Sequence, residues 1–98
     1  MRQISADKTG FASLTIVELL LQELILKDIL DDRDVKRLLK AAAKRHEKSA
    51  NGSPDKIELN METATLIRLL LEGLQPALKK AKKKRKSMEK VALNQTSA

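Results

Sequence analysis

The sequence predicts an all-α protein of three to four helices, intertwined or packed face to face with a second copy of itself. Three observations carry this prediction. Phe11 is the one aromatic among 98 residues, so Leu, Ile, Val and Ala must do the packing in the company of many Lys, Glu and Arg. Such residues favour helices, whereas strands favour β-branched and aromatic ones. Apolar residues also recur at steps of three and four, the helical period. Finally, the periodic stretches are separated by short breaking signals at Asp31-Asp32, Ser49–Pro54 and Gly73–Pro76.

Residues 1–12 show no periodicity and include Gly10, which predicts a flexible N-terminal arm. A first helix is expected over about 13–30, with Ser13 as its N-cap; Ile16 at the third following position cannot complete a capping box. Its apolar residues fall into two sets. Leu14, Val17, Leu20, Leu21, Leu24 and Ile25 share one side, while Ile16, Leu19, Leu26 and Leu30 lie well away from it. A helix apolar over most of its circumference needs cover on several sides, and self-association is the simplest source.

Asp31 and Asp32 can each cap a second helix over about 33–48, where an acid suits the positive end of the helix dipole. That helix is two-faced, with Val35, Leu38, Leu39, Ala42 and His46 opposite Arg33, Lys36, Arg37, Lys40, Lys44 and Lys48. Asn-Gly and Ser-Pro mark residues 49–54 as a loop. A third helix is expected over about 60–74, capped by Asn60, with Leu59 stapled to Ala64. Pro76 either stops or kinks this helix or opens a fourth as its first residue. Residues 13–75 thus form the helical core and residues 76–98 a basic helix or tail, frayed from Asn94 onward.

Charge is unevenly placed. The overall +7 arises from −3 over residues 1–32, +5 over 33–48, −2 over 49–75 and +7 over 76–98. Seven of the eight residues from Lys79 to Lys86 are cationic. Such a run repels itself and disfavours helix unless a polyanion neutralises it. Phosphate backbones are the obvious polyanion, because each neutralised phosphate releases condensed counterions. Lys outnumbers Arg seven to one after residue 75, which favours point-charge backbone contact over bidentate base reading. No aromatic is interleaved for base stacking. The run also matches a nuclear-import signal should the source be eukaryotic.

Other chemistry finds little support. His46 lies at helical spacing with Leu38, Leu39 and Ala42, as a partly buried structural histidine does. Glu18 and Glu23 are five apart and form no carboxylate pair, and no Gly-rich phosphate loop is present. Asp31, Asp32 and Asp34 are explained by capping more simply than by metal binding. There is no Cys, so disulfides and thiolate ligands are excluded. The N-terminus lacks the apolar stretch of a secretory signal, and Leu14–Leu30 falls short of the ~20 apolar residues of a membrane span. A non-catalytic, cytoplasmic protein without cofactor or metal is expected. A helix-turn-helix over the first two helices is disfavoured: no glycine eases the turn, and three aspartates would face the phosphates.

The expected phosphate contacts are Lys79, Lys80, Lys82, Lys83, Lys84, Arg85 and Lys86, joined by Arg33, Lys36, Arg37, Lys40 and Lys44. The expected dimer interface is Val17, Leu20, Leu21, Leu24, Ile25, Ile67, Leu70 and Leu74. The partner would be DNA, RNA or another acidic macromolecule, bound with little sequence preference. The competing reading is a protein-interaction module whose basic tail is solubilising or takes an acidic protein.

Overall fold

The structure, a computed structural model, describes residues 6–96, with side chains described over residues 10–94. All regular structure among them is helical: α1 (Ala6–Leu26), α2 (Asp32–Lys48), α3 (Pro54–Gly73) and α4 (Gln75–Thr96). The all-α expectation is met, with four helices.

Each boundary has a local cause. Residues 6–12 already belong to α1, so the helix includes seven residues before Ser13, while residues 1–5 lie outside the described part. α1 ends where Asp28 enters the left-handed region at φ 58°, a conformation that Asp tolerates better than most residues. There the Ile29 and Leu30 amides reach back to the Leu24 carbonyl at 2.9 and 3.2 Å. Asp31 caps α2 through a full capping box. Its carboxylate accepts from the Asp34 amide at 2.9 Å, and the Asp34 carboxylate accepts from the Asp31 amide at 3.0 Å. α3 begins earlier than Asn60 because Ser53 is the N-cap, accepting from the Lys56 amide at 3.3 Å, and Pro54 follows in the first turn. Ser-Pro was therefore a start signal rather than only a turn signal. Leu59 is 66% exposed and staples nothing.

One residue, Leu74, separates α3 from α4. Its amide donates to Leu70 and Leu71, and its carbonyl accepts from Leu78, so the two helices run nearly end to end. As a single rod, residues 54–96 would span about 64 Å, close to the 62 Å long axis of the molecule. α2 packs along α3, and α1 leans chiefly on α4. The result is a slab 62 × 35 × 17 Å, under two helix diameters thick at about 10–12 Å each.

A slab this thin has little interior. The core is Ile25, Val35, Leu70, Leu74 and Leu78, bordered by Leu14, Leu21, Leu30, Leu39, Leu71 and Ala81. Leu74, Leu78 and Val35 are the largest fully buried side chains, and they draw α2 against the α3–α4 junction. Ala43 and Ala64 are also buried on the closely packed α2 and α3. The C-terminal end of α2 is tied to α3 by polar groups. Asn60 donates to the Ser49 and Lys56 carbonyls, which leaves its oxygen to accept from His46 Nδ1 at 3.1 Å. Arg68 reaches Glu47 at 2.7 Å. His46 is thus a structural tie between α2 and α3.

Candidate nucleic-acid interface

The basic run is helical throughout, in contrast to the expectation that self-repulsion opposes a helix there. Its anchors explain the difference. Stepping about 100° per residue, Leu78, Ala81 and Arg85 fall on the side facing the protein, and all three are buried or half-buried. The lysines are left to point elsewhere. Lys79, Lys83, Lys86 and Lys90 follow at i, i+4, i+7 and i+11, which gathers them on the outer face with Lys82 at its edge. All five are exposed, and none has an ion-pair partner among the described residues. Lys80 and Lys84 turn aside toward α1, where Lys84 meets Asp28 at 2.9 Å.

Arg85 serves another purpose than the phosphate contact expected of it. Its side chain is 17% exposed and grips Asp32, itself 3% exposed, at 2.8 and 3.3 Å through Nε and Nη2. A further bond runs to Glu89 at 3.2 Å. A planar guanidinium suits such a two-point bond, and a lysine could not reproduce it. The Arg85 hydrogen bond holds the Asp32 carboxyl below its ordinary value of 3.8 despite burial, and in return Asp32 pushes the guanidinium pKa up. Asp31 is also held low, first by the Asp34 amide and then by Arg33.

α2 carries a second stripe with the same spacing, Arg33, Arg37, Lys40 and Lys44, all exposed. Arg33 is bonded to Asp31 at 3.0 Å and Arg37 to Asp34 at 3.3 Å. Exposed pairs of this kind contribute little and exchange readily for another anion. Lys36 is half-buried at the margin. The stripes meet at one end: Arg33 lies 3.8 Å from Glu89 of α4, between Lys86 and Lys90 in sequence. Away from that meeting point α2 follows α3 while α4 continues without it.

The expected pairing surface is redistributed. Ile25, Leu70 and Leu74 belong to the core of one chain, and Leu21, Leu24 and Ile67 are half-buried. Val17 and Leu20 remain outside at 41% and 55% exposure. The most exposed apolar face of α1 is formed by the other set, with Ile16 at 65%, Leu19 at 56% and Leu26 at 66%. Apolar periodicity marks two faces on α1, but it does not tell which one the chain covers.

Between the C-terminal half of α1 and α4 runs a groove of about 700 Å³, lined by Ile25, Leu26, Leu30, Ala77, Ala81 and Met88 and rimmed by Lys80, Lys84 and Glu89. No sequence signal pointed to it, because its apolar walls come from segments far apart in the chain. Among the described residues no three His, Asp or Glu side chains gather as a metal site would require. No helix among them is long and apolar enough to cross a membrane. No protein family, curated protein or solved structure matches the chain.

Proposed function

We infer that this is a small non-catalytic nucleic-acid-binding protein, working in the cytoplasm as a homodimer and holding phosphates with little sequence preference. The observation that supports it most is the outer stripe Lys79, Lys83, Lys86 and Lys90, free of ion pairs among the described residues. Along the roughly 16 Å of helix that the stripe occupies, duplex DNA presents about ten phosphates. Lysine ammoniums supply point charges to them without reading bases. The α2 stripe adds a second cationic surface, and pairing of two chains would double both and raise avidity.

The test is duplex DNA and duplex RNA titration against salt. Four lysine–phosphate contacts give a slope of about −3.6 in log K against log salt, a roughly hundred-fold weakening between 50 and 200 mM. Replacing Lys79, Lys83, Lys86 and Lys90 by Gln should remove most of that slope while leaving helix content unchanged. Substitution is preferable to truncation, since deleting α4 would also remove the Arg85 anchor. Absence of binding to both polymers at low salt would sink the reading. The interaction module would then lead, favoured by the exposed Leu59, Leu66 and Leu69 on α3.

A further inference from the structure

A folded protein of 11.0 kDa ordinarily exposes about 5,600 Å², whereas this chain exposes 7892 Å². Its radius of gyration is 17.8 Å, against about 12.6 Å for a compact domain of this length. The excess surface, about 2,300 Å², exceeds the roughly 800 Å² per partner of a standard specific interface. Much of it is apolar, and α1 carries the largest share, with Phe11, Ile16, Val17, Leu19, Leu20 and Leu26 all exposed. A helical layer must bury its apolar face against another layer, and here one layer is missing.

We propose that the second layer is a second copy of this chain, whose α1 lies with its Ile16–Leu19–Leu26 face in the groove between α1 and α4. This names the surface used by the homodimer inferred above and rests on that inference. Three features favour this occupant and this place. The groove and the exposed α1 face are continuous, since Leu26 belongs to both. Met88 lines the groove at 59% exposure, and Val91, three residues on along α4, is 53% exposed; neither belongs to its own chain's core. The charges also match. Stepping 100° per residue, Glu23 falls in the middle of the exposed α1 face, and it has no ion pair among the described residues. The groove wall offers Lys80, equally without one. A carboxylate pressed into an apolar interface needs such a partner. A two-fold axis makes the arrangement reciprocal, so each α1 is guest and host at once. The resulting body has α1 and α4 of both chains at its centre and both outer lysine stripes on its surface.

The experiment uses the full chain at micromolar concentration, with mass read by light scattering and photo-crosslinking from benzoylphenylalanine placed at Met88. The wild type should give twice 11.0 kDa, Leu19→Glu should halve it, and Leu66→Glu on α3 should leave it unchanged. Mixing light and isotopically heavy chains should yield light–heavy crosslinks from position 88 into residues 11–26. A monomeric wild type overturns the homodimer and this interface together, whether or not a foreign protein travels with it. A dimer broken by Leu66→Glu but not by Leu19→Glu, or crosslinked only within one chain, overturns the interface and leaves the homodimer standing. Failure of DNA and RNA binding by an intact α1-paired dimer leaves the interface standing and removes the proposed ligand.

Discussion

The α2–α3 pair and the α1–α4 pair are built to different standards of closure. In the first, both helices are capped by their own side chains, Asp31 with Asp34 and Ser53 with Pro54 behind it. Their contact is sealed by Val35, Ala43 and Ala64 and tied by His46–Asn60 and Glu47–Arg68. In the second, α1 leans on α4 through Ile25 and its half-buried neighbours. Two ion pairs, Asp28–Lys84 and Asp32–Arg85, then hold α4 to the α1–α2 connection. The first half is capped and tied within a single chain, although Leu59, Leu66 and Leu69 of α3 stay exposed; the second leaves the Ile16–Leu19–Leu26 face of α1 and its groove uncovered. The polar ties between helices α2 and α3 lie in the first, and the pairing surface proposed above lies in the second.

The largest test of that division is at the junction the halves share. Leu74→Ala removes a fully buried side chain and should cost about 3 kcal/mol. In a chain of this size that is a large part of the total stability, so urea denaturation followed by far-UV circular dichroism should show loss of all four helices at once. Sequential loss would mean that the halves fold independently.

A smaller and more local effect is expected from Asp32→Asn. The Asp32 carboxyl titrates lower in the folded chain than in the unfolded one. Its pairing therefore stabilises fully above the ordinary value of 3.8 and is lost as pH falls through the lower folded value. Hydrogen exchange should show α4 amides around Arg85 losing protection in that acid range while α3 amides keep theirs. In Asp32→Asn that α4 protection should already be weak at neutral pH. Equal loss in α2–α3 would contradict the local role. The smallest effect belongs to Asp31→Ala, which deletes one cap and should cost about 1 kcal/mol, read as a modest shift in the urea midpoint.

Much of the fold was legible because its signals are local. Leu and Ala composition, the Asp31-Asp32 break and the two-faced pattern of α2 each act within a turn or two of chain. The start of α3 is ambiguous in sequence because Ser53-Pro54 serves both turns and helix starts, and Asn60 resembles a cap while in fact tying His46 to two carbonyls. The candidate site was legible as a cluster of charge but not as a surface. Sequence spacing places Lys79, Lys83, Lys86 and Lys90 together, whereas only the partner of Arg85, 53 residues away, shows that this cation is occupied. Likewise α1 displays two apolar faces in the sequence, and which of them is covered depends on α4, which begins 49 residues after α1 ends.

The Arg85–Asp32 pair also sets a trap for mutational mapping. Scanning residues 79–86 one alanine at a time would single out Arg85, the cation least available to a ligand, because its loss leaves Asp32 as a buried, unpaired carboxylate. Each lysine replaced alone would change affinity by only a modest factor, since the load is shared. A loss of binding at Arg85 would then report where the lysine-bearing helix is fastened, and the lysines themselves would reveal their part only when several are changed together.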